Sequence, residues 1–228
     1  VGIDDDVHLL PQLPPPSSPD EGQSSCQLRL QTREEHAAVE AVLDVAKWRS
    51  GSDLAGVLQG WAVVWGAVSC ASAAPAACRE SRQELTDLAA QALRWLQSDL
   101  ADLGYGSRPS LRSTAGGPAY CAAVADYLAQ PAGSWGVAYV LRGSRLGGAV
   151  LAPQIRASLN LPTDGGTRFL ASAETRPGRE WVAFRRRLDM AGLSPGQLVI
   201  AVDAARWTFR WVGAATALRA CDDAMVAA

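Results

Sequence analysis

The sequence predicts an all-α protein, folded as one helical domain behind a short polar tail. Three observations point there. From about Ser25 onward apolar residues recur at helical spacing, and the alternation of β-branched and aromatic residues that marks strands is missing. Clusters of Gly, Pro, Ser and Asp break that pattern: SGSD near 50, GYGSRPS near 104, QPAGS near 130, PTDGG near 162 and LSPG near 193. No repeat of solenoid period divides the 228 residues, a length that suits one large domain or two small ones.

The elements follow in order. Residues 1–24 contain PQLPPPSSPDEGQS, which is rich in proline and serine and reads as an extended or disordered tail. The helical domain is expected over 25–228. Its first helix, 27–47, places Leu28, Thr32, His36, Val39 and Leu43 on one face. A second helix is expected at 53–72. The stretch 60–77, GWAVVWGAVSCASAAPAA, lacks charge over about the length of a membrane span. Its Ala, Gly and Ser content, its few leucines and Pro75 favour a buried helix that ends in a turn. The breakers then delimit helices at 79–103, 117–130, 134–152, 178–191 and 195–224.

Composition narrows the function classes. Hydrophobic residues make up 48% of the chain, enough for a sizeable core, and the formal net charge is −2. A general nucleic-acid binder needs a basic excess, so that class is set aside. Lys47 is the only lysine, and arginine supplies the rest of the basic charge. Cys26, Cys70, Cys78, Cys121 and Cys221 are odd in number and include no CxxC pair. They are expected as small buried apolar residues in a reducing compartment. Asp4, Asp5 and Asp6 stand where a secretory signal needs positive charge, so no membrane association and a cytoplasmic location are expected.

Three features can carry chemistry. His36 stands on the apolar stripe of the first helix and is expected to point inward. It is either a core histidine bonded to a carbonyl or water, or a ligand; one inward histidine cannot build a zinc site but can hold a heme iron alone. Gly143, Gly147 and Gly148 form a strip without side chains in VLRGSRLGGAVL, although each glycine in a helix interior costs about 1 kcal/mol against alanine. Such a strip admits a second helix or a flat ligand. Arg206 and Arg210 are four apart near Trp207 and Phe209. They are either a solvated pair or a clamp for two carboxylates. Together the three suit the iron ligand, distal wall and propionate clamp of a heme pocket.

At these residues the sequence resembles the heme oxygenases, particularly bacterial forms associated with phytochrome biosynthesis. LRLQTREEHAAVE is similar to the family's first helix, an LR..T...H..E pattern whose histidine is the proximal iron ligand; that role falls on His36. YVLRGSRLGGAVL resembles the distal helix, YVLEGS.LGG.VL in the bacterial members, and ARWTFRW resembles the last core helix. ALRWLQSDLADLG is a weaker match, and the resemblance spans about 26–222. Arg142 stands where the bacterial pattern has glutamate, which reverses a charge beside the pocket helix. Ser144 stands where the animal-type enzymes have an aspartate that orders water.

The resemblance implies a single-domain heme-oxygenase-like helical bundle. It also implies oxidative cleavage of heme to biliverdin with release of CO and ferrous iron, heme being both cofactor and substrate. Iron binding falls to His36. Gly143, Ser144 and Gly147 form the catalytic distal segment, and Arg29, Tyr139, Gly148, Arg206, Phe209 and Arg210 bind the ring and its propionates. Molecular oxygen is a co-substrate. Electrons come from an external donor such as a ferredoxin or a flavoprotein reductase, because the chain has no flavin or iron–sulfur motif. Arg185, Arg186 and Arg187 are either a docking site for such an acidic partner or a solvated helix face. The alternative function is a non-catalytic heme-binding carrier or sensor on the same fold.

Overall fold

Nine helices and no strand occupy the residues described in the computed structural model, which are 23–45, 48–72, 79–105, 117–163, 165–172 and 175–217. In chain order they are α1 (Gln23–Gln31), α2 (Arg33–Val42), α3 (Gly51–Ser72), α4 (Arg79–Asp102), α5 (Gly117–Ala129), α6 (Pro131–Leu159), α7 (Arg168–Ala171), α8 (Pro177–Met190) and α9 (Pro195–Ala217). The all-α, single-domain reading is correct. Residues 1–22 of the expected tail and 218–224 of the last expected helix lie outside the described residues.

The first expected helix is divided in two. Thr32 leaves helical geometry at φ −111°, ψ 12°, and its buried hydroxyl donates to the Leu28 carbonyl at 2.7 Å. A threonine that bonds back to its own helix offers the backbone an alternative to the next helical turn. In the other direction, α6 is longer than the expected 134–152. It begins at Pro131, where a proline costs no helical hydrogen bond, and it runs through Pro153, whose ring is exposed. Its end is set by Asn160 in the left-handed region, φ 52°. The four-residue α7 was not expected from the sequence. It is fastened by Asp99 of α4, whose carboxylate accepts the backbone N–H groups of Arg168 and Phe169 at 2.8 Å each.

The core is built around α3. Leu54, Leu58, Val64, Trp65 and Val68 are buried there against Leu85, Ala89 and Leu96 of α4, Val124 and Leu128 of α5, and Val212 and Ala215 of α9. Each such leucine contributes about 1.5–3 kcal/mol when removed from water. α3 is long and apolar enough to cross a membrane, but 67% of its apolar window is buried within the bundle. Small residues set the helix spacing at two crossings. A Cβ on Gly60 would run into the Ala215 carbonyl of α9, and one on Gly136 of α6 would run into the Ala201 carbonyl, with Ala204 and Ala205 beside it.

The cysteines correct one expectation. Cys70 is exposed, and Cys26 and Cys121 are only part-buried; Cys78 and Cys221 lie outside the described residues. Burial raises the Cys121 thiol, and the neighbouring Cys70 thiol raises it further. The two stand together because α3 and α5 pack side by side, with Cys70 near the end of α3 and Cys121 near the start of α5.

Candidate functional site

His36 does not point into the core. Its side chain is 54% exposed, although Leu28 and Thr32 on the same stripe are buried and Val39 and Leu43 are half-buried. Leu28 lies on α1, which packs on both α8 and α9, whereas α2 among the described residues rests chiefly on α9 alone. The imidazole is nevertheless held. Phe209 of α9 meets it edge to face, ring centroids 5.5 Å apart. Glu40, one turn on, places a carboxylate oxygen 3.5 Å from Nδ1, at the outer edge of hydrogen-bond reach. A carboxylate beside one nitrogen of an exposed imidazole is a pairing that metal-binding histidines also use. Glu40 was missed as a site residue, although it is the last letter of the LR..T...H..E pattern.

The three glycines of α6 do not form one bare strip. Gly148 is buried against α7: a Cβ there would stand 2.8 Å from the Leu170 carbonyl oxygen. Its lack of a side chain lets α7 pack closely on α6. Gly143 and Gly147 are different. A Cβ on Gly147 meets no atom within 4 Å, and one on Gly143 meets only the Trp181 ring of α8 at 3.7 Å. Their shared face begins at Gly136, which is closed by α9, and opens over the next two turns. Ser144 donates its hydroxyl to the Leu141 carbonyl at 2.8 Å, so its oxygen offers lone pairs rather than a proton.

The arginine clamp also differs from the expected one. Arg206 donates Nε to the Gln31 carbonyl at 2.9 Å and lies 3.6 Å from Glu35, so it ties α9 to the α1–α2 junction. Arg210 is exposed, and its charge acts on Tyr127 of α5, whose hydroxyl donates to Asp203 at 2.7 Å. Their different partners separate the two side chains that the i, i+4 spacing grouped.

A second cationic group forms instead around Tyr139, on the buried side of α6. Burial pushes its phenol up to about 12, against the pull of Arg185 from α8 and Arg29 from α1. Tyr139 therefore keeps its O–H as a donor at neutral pH, within the field of both guanidinium charges. Arg185 is steadied by the Ser25 hydroxyl at 3.3 Å, and Ser25 in turn bonds Asp189. Sequence reading placed Arg185 only in a docking patch or a solvated face; its periodicity carries no sign of Tyr139, which arrives from another helix. Arg29 lies on α1 and His36 beyond the Thr32 break on α2, while Gly143 and Gly147 follow Tyr139 by about one and two turns along α6.

The donor set and the bare backbone fit a flat, iron-bearing dicarboxylate. An exposed imidazole, a glycine opening on empty space and a protonated phenol within the field of two arginines are the residue types that would hold such a group.

The comparisons bear first on the fold. The heme oxygenase of Leptospira interrogans superposes with a TM-score of 0.67 at 18% identity, over 86% of this chain and 98% of that one. Heme oxygenase 2 of Chlamydomonas reinhardtii, solved without heme, gives 0.66 at 15% identity, over 85% and 95%. Heme oxygenase-1 of the cyanobacterium Synechocystis, solved in complex with heme, gives 0.65 at 19% identity, over 89% and 94%. The fold is that of a heme-oxygenase-like helical bundle. At the level of sequence, the heme oxygenase family profile matches residues 67–215, and the chain belongs to that family. The match begins within α3, after the segment that carries His36. No match is found among curated proteins.

Proposed function

We propose that this chain is a biliverdin-producing heme oxygenase of the bacterial phytochrome-associated type, with His36 as its iron ligand. The observation that carries the reading is the exposed His36 imidazole, with the Glu40 carboxylate 3.5 Å from Nδ1 and the Phe209 ring edge to face with it. Family membership supports the reaction, and the YVLRGSRLGGAVL motif supports the bacterial subtype.

Bound heme supplies both the iron that activates oxygen and the macrocycle that is opened. The chain's residues do the rest. Glu40 keeps the His36 ring oriented. Gly143 and Gly147 let the α6 backbone approach one ring face, and Ser144 offers acceptor lone pairs to water beside it. Arg29, Arg185 and the protonated Tyr139 hold the propionates and so fix the rotation of the ring, with Arg206 bracing the helix that carries His36. Electrons come from an external ferredoxin or flavoprotein.

The test is a hemin titration of the wild type and His36→Ala, followed by ascorbate in the same cuvette. The wild type is expected to develop a heme band that His36→Ala lacks or shifts, and then to lose it as a biliverdin band grows. A wild type without a heme band overturns the reading. A heme band that persists under reductant replaces the enzyme with a non-catalytic heme binder.

A further inference from the structure

The turns of α6 that carry Gly143 and Gly147 are held from behind. Arg142 is 8% exposed; its guanidinium pairs with Glu84 of α4 and lies 5.3 Å from the Phe184 ring centroid of α8. Glu84 also accepts from Arg187 of α8 at 2.7 Å. Arg145 is buried too, donates to Glu180 at 3.0 Å and Thr175 at 3.1 Å, and lies 5.7 Å from the Trp95 ring centroid. The two arginines bracket Gly143 and Ser144 and line an open cleft of about 500 Å³ between α4, α6 and α8.

A helical face without side chains cannot set its own distance from a ligand, and glycines soften the backbone there. The setting of that face has to come from the rest of the helix surface, where Arg145 lies opposite the glycines and Arg142 about 100° from Gly143. A buried guanidinium is orientationally demanding, because its planar fork must stay on its carboxylate or remain uncompensated. Glu84 supplies the counter-charge of Arg142.

We propose that Arg142, through its pair with Glu84, is a positioning residue that fixes the Gly143–Gly147 backbone over the heme site. The proposal rests on the heme reading above. It assigns Arg142 to the reaction geometry rather than to general stability alone.

The experiment compares the wild type with Arg142→Met, Glu84→Gln and Arg142→Lys in two measurements. The first is amide hydrogen exchange of the heme-free chain. Arg142→Met and Glu84→Gln are each expected to speed exchange at 144–148 by about tenfold and leave α3 unchanged, with Arg142→Lys restoring protection. The second is azide affinity of the hemin-loaded chain, expected to weaken about tenfold in Arg142→Met and Glu84→Gln, with hemin affinity within about twofold of wild type. Unchanged exchange and azide affinity, or faster exchange spread evenly over the bundle, overturns the positioning role. Should Arg142→Met not fold, Glu84→Gln carries the same comparison from a side chain open to solvent. A wild type that binds no hemin overturns the heme reading itself, and this proposal with it.

Discussion

At Gly147 stability and function pull in opposite directions. A Cβ there meets nothing within 4 Å, so Gly147→Ala adds a better helix former without a clash. The variant is expected to stabilise the fold by up to about 1 kcal/mol and yet to weaken hemin binding, because the methyl group enters the space meant for the ring. Thermal unfolding and a hemin titration on the same sample check both halves; a stabilised variant with unchanged hemin affinity would remove Gly147 from the site. Two aspartates near the end of α4 give a further test through pH. Burial raises the Asp99 carboxyl above 3.8, against the pull of the Phe169 and Arg168 amides and the Arg168 charge. The fold therefore holds that proton longer than the unfolded chain does. The associated stability is complete below about 3.9 and is lost as pH rises through the folded value. Burial also acts on Asp102, but hydrogen bonds from Arg168 and the Gly166 amide outweigh it and lower its carboxyl. Its contribution is present above the ordinary aspartate value and lost as pH falls. Urea unfolding between pH 3 and 7 should show Asp99→Asn losing the first slope and Asp102→Asn the second.

Among the elements, the α6–α9 crossing sets the geometry from which the candidate site opens. Gly136 lies directly against the Ala201 carbonyl, with Ala204 and Ala205 around it. Gly136→Ala is expected to push the two helices apart and to cost about 1–3 kcal/mol, read by thermal unfolding. A wild-type melting temperature would show that the crossing has slack. How much was legible beforehand follows from the same physics. Helices are readable from local periodicity and breakers, so α3, α4, α5 and α8 lie within about two residues of expectation. Thr32 and Pro153 were misjudged because their effects depend on which side of the helix is solvated. α7 was invisible because its fastening, Asp99, is about 70 residues away. The site was legible where one helix carries it. His36, Gly143 and Gly147 came from motifs, whereas the grouping of Arg29, Tyr139 and Arg185 joins three helices and has no local signature. Spacing also carried no sign of the tertiary neighbours that Gly148 and Arg206 meet, the Leu170 backbone and the Gln31 carbonyl.

Across the whole molecule, α2 is the weakly supported member: it rests on α9 and presents His36 to solvent, while the core lies around α3. A ligand that bridges α2 and α6 would supply a second neighbour and connect two poorly joined parts of the bundle. Binding to the folded chain alone stabilises it by about 2.7 kcal/mol at a hundredfold excess over Kd. For a chain of 228 residues, each kcal/mol moves Tm by about 2–4 °C, so hemin is expected to raise Tm by about 5–10 °C. The gain should also be local, with hydrogen-exchange protection rising most at 33–42 and 143–148 and least in α3, which is already buried. His36→Ala should lose most of the shift while keeping the apo Tm, because its exposed ring contributes little to the core. A hemin-induced shift that survives His36→Ala undiminished would place the ligand elsewhere. Protection gained in α6 without α2 would mean that the ring sits on the glycine face with no imidazole beneath it.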